Sequence, residues 1–237
     1  MIKKMAVVLL VVAALIGATL YWLAGNMDRM VKHAIESYGS EMTQAKVSLG
    51  AVKISPSSGK GLISNLTVGN PTGFKTPHVL QVAQLEVEID LASLTQDVVH
   101  IRRIAILAPD VIYEKGASQT NLDAISSHIA NASSTRQGDG VQKTGKKLIV
   151  DLLTMQNAQA QASAALMNGK TVAIALPDLT LKDIGRAKGG VTAGELGQAI
   201  TTALTARLSP AANFDRLLKS GSGMLDQVES SVKKLFK

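Results

Sequence analysis

The chain of 237 residues contains no cysteine. This excludes disulfides, a Cys-ligated zinc, a thiol nucleophile and a lipoprotein cleavage box, and it leaves the chain indifferent to an oxidising compartment. Aromatic residues make up 3% of the sequence. Few rings are therefore available to stack on single-stranded nucleic acid, and the core has to be built from Val, Ile, Leu and Ala. There is no Gly-x-Ser-x-Gly elbow, no phosphate loop and no dinucleotide fingerprint. Ser58-Gly59-Lys60-Gly61 lacks the upstream glycine of a phosphate loop and reads as a turn. The four histidines, His33, His78, His100 and His128, are scattered without ligand spacing. Glu86, Glu88 and Asp90 share one strand face, which is the pattern of a solvated face before it is that of a cation site. Nothing in the sequence argues for an enzyme, a cofactor or a metal.

What is present begins with charge. The formal net charge is +7, thinly spread, with denser groups at Lys143, Lys146, Lys147 and at Lys233, Lys234, Lys237. Solvated surface is the first reading of such a balance, anionic lipid headgroups the second, nucleic acid the last.

Residues 5–24, MAVVLLVVAALIGATLYWLA, carry no charge. At about 1.5 Å per residue this run is about 30 Å long as a helix, the thickness of a bilayer's hydrocarbon core. Met5, Leu9 and Leu15 lie within it, and Tyr21 and Trp22 stand at its far end, where amphipathic rings favour the headgroup region. Lys3 and Lys4 precede the run and Arg29 and Lys32 follow it. The short leading tail favours an N-terminus inside. The competing reading is a cleaved signal peptide. Cuts after Ala24 or Ala18 would put Trp22 or Ile16 where a small residue is wanted, so retention as an anchor is expected.

After the anchor comes a neck helix region, 26–45, in which the pattern predicts a helix capped by Asn26 or Asp28 that runs to about Tyr38, where Gly39 stops it. The period then changes to two. Val47 and Leu49 alternate with polar residues, Val52 and Ile54 continue in the opposite phase, and Ala83, Leu85, Val87, Ile89 and Leu91 face one way while Gln84, Glu86, Glu88 and Asp90 face the other. Val99 and Ile101 begin another strand, whose phase slips at Arg102-Arg103 before Ile104 and Ile106, as at a bulge, and Pro109 breaks it. A short helix over 121–129 and a mobile linker over 131–147 follow. A second β block over 148–190 contains a hairpin turning at Asn168-Gly169. Thr192 and Glu195 form a capping box for a helix with Leu196, Ile200, Ala203, Leu204 and Leu208 on its apolar face, ended by Pro210. A last amphipathic segment presents Leu225, Val228, Val232, Leu235 and Phe236 to a membrane or a partner. The fold class expected is α+β: an N-terminal transmembrane helix (1–25), the neck, an antiparallel groove- or sandwich-like β domain (46–130, then 148–190) and C-terminal helices (191–237).

The stretches VKHAIESYGSEMTQAKVSLGAVKISPSSGKGLISNLTVGNPTGF and VLQVAQLEVEIDLASLTQDVVHIRRIAILAPDVIYE, with Asn121 beyond them, resemble the N-terminal region of AsmA-like proteins. The order of motifs carries the resemblance: membrane helix, helix with Tyr-Gly, Val-rich strand, then Asn70-Pro71-Thr72-Gly73-Phe74. It covers roughly residues 1–125, with a weaker echo over 148–190. The resemblance implies a β-rich, groove-like fold outside the bacterial inner membrane and roles in outer-membrane biogenesis and lipid handling, and it brings no catalytic residues. It places the chain in the inner membrane, single-pass, with its bulk periplasmic, and makes membrane lipids and an envelope protein the expected partners. About nine strands at about 4.8 Å make a sheet only about 40 Å long, short for a bridge between membranes. Two functional readings stay open. In one, Leu85, Val87, Ile89, Val99, Ile101, Ile104 and Ile106 line an apolar trough for acyl chains. In the other, the same residues are a closed core and the domain is a scaffold without lipid cargo.

Overall fold

The computed structural model describes residues 26–138 and 145–212. It is α+β, with three helices and a 10-stranded sheet. Helix α1 covers 26–43. Strands β1 (Val47–Ser48), β2 (Ala51–Ser55), β3 (Lys60–Val68), β4 (Leu80–Ile89), β5 (Val98–Leu107) and β6 (Asp110–Lys115) lead to helix α2 (Asn121–Gly138). Strands β7 (Lys147–Gln156), β8 (Gln159–Ala164), β9 (Val172–Ile174) and β10 (Leu179–Ile184) lead to helix α3 (Ala193–Ala212).

The ten strands run in six lines, because several are two halves of one. Gln84 faces Leu107 and Leu80 faces Val111, so the register along β4 passes from β5 to β6 without a break. Leu107 faces Gln156 and Asp110 faces Gln159, so β7 and β8 do the same beside β5 and β6. Met155 faces Leu179 and Ala160 faces Ile174, which puts β9 and β10 in line as well. The interruptions fall on one row across the sheet: Gly50, Asn65, Ala83, Ala108, Asn157 and Pro177. Asn65, Ala108 and Asn157 have φ of 51°, 45° and 54°. A residue in this left-handed region breaks the half-turn-per-residue alternation of a strand, so the next side chain returns to the same face. Every line shifts phase here. Its apolar residues pass from Val47, Leu49 to Val52, Ile54; from Leu80, Val82 to Leu85, Val87, Ile89; from Ile104, Ile106 to Val111, Tyr113; and from Leu153, Met155 to Ala160, Ala162. One apolar face therefore continues across a crease. A Cβ at Gly50 would stand 2.9 Å from Asn65 Nδ2 and 3.2 Å from the Ser64 carbonyl oxygen, so a larger residue there would have to displace its neighbours.

Three helices pack on or beside this sheet. Helix α2 packs on β6 and on α3, which also reaches β7 and β10. Leu122, Ile125 and Ile129 of α2, Leu204, Leu208 and Ala212 of α3 and Met42 of α1 join the sheet's side chains in one buried cluster. Helix α1 instead runs along the β1–β2 edge. Its residues at four-residue spacing meet the edge's outward backbone groups: Asp28 accepts from Ile54 N–H (3.0 Å), Lys32 donates to the Gly50 carbonyl (3.0 Å), Glu36 accepts from Leu49 N–H (2.8 Å) and Ser40 Oγ accepts from Val47 N–H (2.9 Å). An edge strand's open ladder is thereby closed by a polar helix stripe.

Several expectations change. The sheet is mixed, not antiparallel, because β7 lies parallel to β5 and β8 parallel to β6. Helix α2 is the crossover that makes this possible, returning the chain to the end where β5 began. The second β block thus lies within the first block's sheet. The expected 131–147 linker is helical as far as Gly138; residues 139–144 lie outside the described residues. In α2, Thr120 and Asp123 cap each other (Thr120 Oγ1 to Asp123 Oδ2, 2.6 Å). Gly39 does not stop α1, which continues to residue 43 and is followed by Gln44 at φ 49°. The Val47 side chain fills the space beside Gly39, whose absent Cβ would stand 3.3 Å from it. Helix α3 runs through Pro210 to Ala212, with Leu208 and Ala212 buried. Asn168 and Gly169 both have positive φ, but the loop they turn joins Ala164 to Val172 and is longer than two residues. With strands in line, the sheet is about 24 Å wide across its ladder rather than about 40 Å. The bulge at Arg102-Arg103 is as expected. The capping box is formed: Thr192 N–H donates to Glu195 Oε2 (2.7 Å), and Glu195 N–H to Thr192 Oγ1 (3.1 Å). The expected transmembrane segment lies outside the described residues, among which no helix is long and apolar enough to cross a membrane.

Two outcomes follow. Asn157→Gly should be close to neutral in urea denaturation, whereas Asn157→Val, a β-branched residue forced to positive φ, should cost about 2 kcal/mol. The backbone N–H of Thr192 lowers the Glu195 pKa from its ordinary 4.5. The stability this gives is complete above that ordinary value and is lost as pH falls through the lowered one. A pH series of melting curves should show that acid-side loss, and Glu195→Gln should flatten it.

Candidate functional site

The apolar face is built in rows of side chains that stand opposite one another. One row runs Val52, Ile63, Leu85, Ile106, Met155, Leu179, and the next Ile54, Gly61, Val87, Ile104, Leu153, Leu181. Ile89, Ile101, Val150 and Ile184 form a third. These rows are not evenly covered. Leu153, Met155 and Val150 are at most 1% exposed, beneath α3. Of the trough candidates, Val99, Ile101, Ile104 and Ile106 are buried. Leu85, Val87 and Ile89, together with Ile54 and Ile63 beside them, are only partly buried. The seven candidates thus lie on two adjoining strands of one sheet, and the six on the rows divide into a filled part on β5 and a half-open part on β4. Leu91 and Leu94, beyond the end of β4, are 37% and 44% exposed.

A second constellation is not legible as a unit in the sequence, where only Asn70 and Asn121 of its members stand out. The Glu114 side chain is buried, at 1% exposure. Its carboxylate accepts Lys75 N–H (2.9 Å), Thr76 N–H (2.8 Å) and Thr76 Oγ1–H (2.6 Å). Asn121, at the start of α2, accepts Glu114 N–H (3.1 Å) and donates to the Ile112 carbonyl (2.8 Å) and to Asn70 Oδ1 (3.0 Å). Asn70 in turn donates to Thr76 O (2.6 Å) and Oγ1 (2.7 Å). A buried carboxylate is an expensive group unless it is fully hydrogen-bonded, and this one is. Its acceptor positions are occupied by the 70–76 loop, so its chemistry is that of a latch: it pins the β3–β4 connection to β6 and α2. Lys75 Nζ extends the latch to Asn168 Oδ1 (2.6 Å) in the β8–β9 loop. The signal available in sequence was the pairing of Asn-Pro, Glu and Asn motifs; their convergence is a property of the fold.

The remaining polar candidates are placed as follows. Glu86 and Glu88 flank a shallow depression of about 480 Å³. In register there, Glu88 stands between Lys60 and Arg103, a cross-strand charge ladder on the solvated side. Asp90 caps the short helical turn after β4 through Ala92 N–H (3.1 Å) and faces Arg102 (3.4 Å). His78 meets Asp110 at 3.0 Å, a pairing across the sheet that linear spacing hides. His128 meets the Thr43 carbonyl at 3.0 Å, fastening α2 to the end of α1. Among the described residues no group of His, Asp or Glu is arranged to hold a metal ion. The expected anchor residues Met5, Leu9, Leu15, Tyr21 and Trp22 and the C-terminal residues Leu225, Val228, Val232, Leu235 and Phe236 lie outside the described residues.

The sequence matches no protein-family model, and no curated protein matches it.

The latch makes a firm prediction. Glu114→Gln turns one acceptor into a donor facing the N–H groups of Lys75 and Thr76, and it should destabilise by about 2–3 kcal/mol in chemical denaturation. Glu86→Gln, at an exposed position of β4, should stay within about 0.5 kcal/mol of the parent.

Proposed function

We propose that this chain is a membrane-anchored, non-enzymatic protein of the bacterial envelope, of AsmA-like type. Residues 5–24 hold it in the inner membrane, and the creased sheet on the periplasmic side takes a lipid acyl chain along the uncovered part of its apolar face. The observation that supports this reading is the uneven cover of that face: Leu85, Val87 and Ile89 are partly exposed, while Ile101, Ile104 and Ile106 in the same rows are buried. Each methylene moved from water onto such a surface contributes about 0.8 kcal/mol, so even a short chain segment is held appreciably. The trough is narrower than the sequence suggests, because Val99, Ile101, Ile104 and Ile106 already belong to the domain's own core. That burial favours the second reading, an envelope scaffold without lipid cargo.

The two readings separate in native mass spectrometry and lipid extraction of the full chain purified in mild detergent. On the trough reading the protein retains phospholipid near one per chain, and Leu85→Asn with Val87→Asn lowers retention at least fivefold without loss of fold. Equal retention by parent and variant, or none by either, removes the trough and leaves the scaffold.

A further inference from the structure

The two edges of the sheet are finished differently. The β1–β2 edge is closed by the Asp28, Lys32, Glu36 and Ser40 stripe of α1. At the other edge β9 pairs only with β8 and β10 only with β7 among the described residues. That edge is itself of two kinds. The β10 half carries the usual deterrents to further pairing: Pro177 without an N–H, the charges of Asp178, Lys182 and Asp183, and a positive φ at Asp183 (53°). The β9 half, residues 171–176 (TVAIAL), has no charge and no proline. Val172 is 44% exposed, and Leu166 in the loop before it is 76% exposed. An uncharged, open ladder of this kind is a template for another extended chain.

We propose that β9 is a self-association edge and that its occupant is β9 of a second copy, paired antiparallel about a two-fold axis through Ile174. The charge pattern selects this partner. In that register Val172 stands opposite Leu176 and Ala173 opposite Ala175, and at each end Lys170 of one copy comes beside Asp178 of the other, both of them exposed. A strand from an unrelated protein has no reason to carry the matching pair. Because the opposite edge is closed by α1, pairing through β9 ends at a dimer instead of propagating into a fibre. The inference is independent of whether the apolar face holds lipid.

The absence of cysteine makes the test direct, because a single introduced thiol has only another copy to bond. Directly opposed residues of an antiparallel pair have Cα atoms about 4.5–5.5 Å apart, within disulfide reach. In the full chain in detergent, mild oxidation should convert most of Ile174→Cys to a covalent dimer and leave Thr180→Cys, on the β10 half of the same edge, monomeric. Equal cross-linking at both positions, or none at Ile174→Cys, overturns the proposal. The second measurement needs no substitution in the strand. In sedimentation equilibrium the parent should dimerise, Lys170→Asp should weaken that dimer at least tenfold, and Lys170→Asp with Asp178→Lys should restore it. A monomeric parent, or a dimer indifferent to both changes, overturns it equally, as does a parent that acquires mass only when another protein is added.

Discussion

A strand shows its side chains to alternate faces, and this period of two cannot be bent without consequence. If one strand of a sheet shifts phase and its neighbours do not, its apolar residues turn outward while theirs stay in. Here every line of strands shifts at the same row, through Gly50, Asn65, Ala83, Ala108, Asn157 and Pro177, so the apolar face survives the crease intact. The rest of the domain depends on that coincidence. The cluster that α2 and α3 cover contains Val82, Val111 and Ala160 from one side of the crease and Ile106, Met155 and Leu179 from the other. Asn at two of the left-handed positions is the residue type, after Gly, that tolerates them best. Ala108 is the less comfortable member, and its N–H donates to the Gln156 carbonyl (2.9 Å).

The polar latch around Glu114 is the counterpart of the crease. Strands in line need their connecting loops held at a fixed distance, and the β3–β4 connection is the one that passes the end of β6 and the start of α2. Glu114, Asn121, Asn70 and Thr76 hold it with every polar atom partnered; among the described residues no buried side-chain nitrogen or oxygen lacks a partner. An apolar core at this point would give comparable stability but no register, since apolar contacts are not directional. Three residues of the motifs on which the expected AsmA-like resemblance rests, Asn70, Glu114 and Asn121, belong to this latch. The resemblance as read from them speaks to architecture more directly than to activity.

Much of this was legible along the chain, and what was not has a common cause. The phase change between Leu49 and Val52, the slip at Arg102-Arg103 and the break at Pro109 are all visible as lapses in alternation. So are the capping box at Thr192 and the apolar face of α3. What alternation does not reveal is whether neighbouring strands lapse together, and so a crease looks the same as a bulge. Pairing partners are equally hidden: β7 reads as an ordinary apolar strand, and nothing local says that it lies parallel to β5. The polar run after Ile129 reads as linker because its helix is held by a few contacts near its start, at Leu122, Ala124, Ile125 and Ile129, and not by a long apolar stripe. His78 and Asp110, and the polar stripe of α1 against β1–β2, escape for the same reason. They are matches between distant segments, each ordinary by itself.

The position of α1 connects the fold to the functional readings. This helix follows the apolar run 5–24 in sequence and lies along the edge of β1 and β2. The part of the apolar face left partly open, at Ile54, Ile63, Leu85, Val87 and Ile89, is on β2, β3 and β4, the strands nearest that edge. The part that is filled, on β5 and β7, is farther from it, and beyond that part Leu181 and Ile184 of β10 are again only partly buried. On the trough reading, the open part is therefore on the side of α1, the helix that follows residues 5–24 in sequence. On the scaffold reading the same asymmetry has no use, and Leu85 and Val87 would gain stability from being covered.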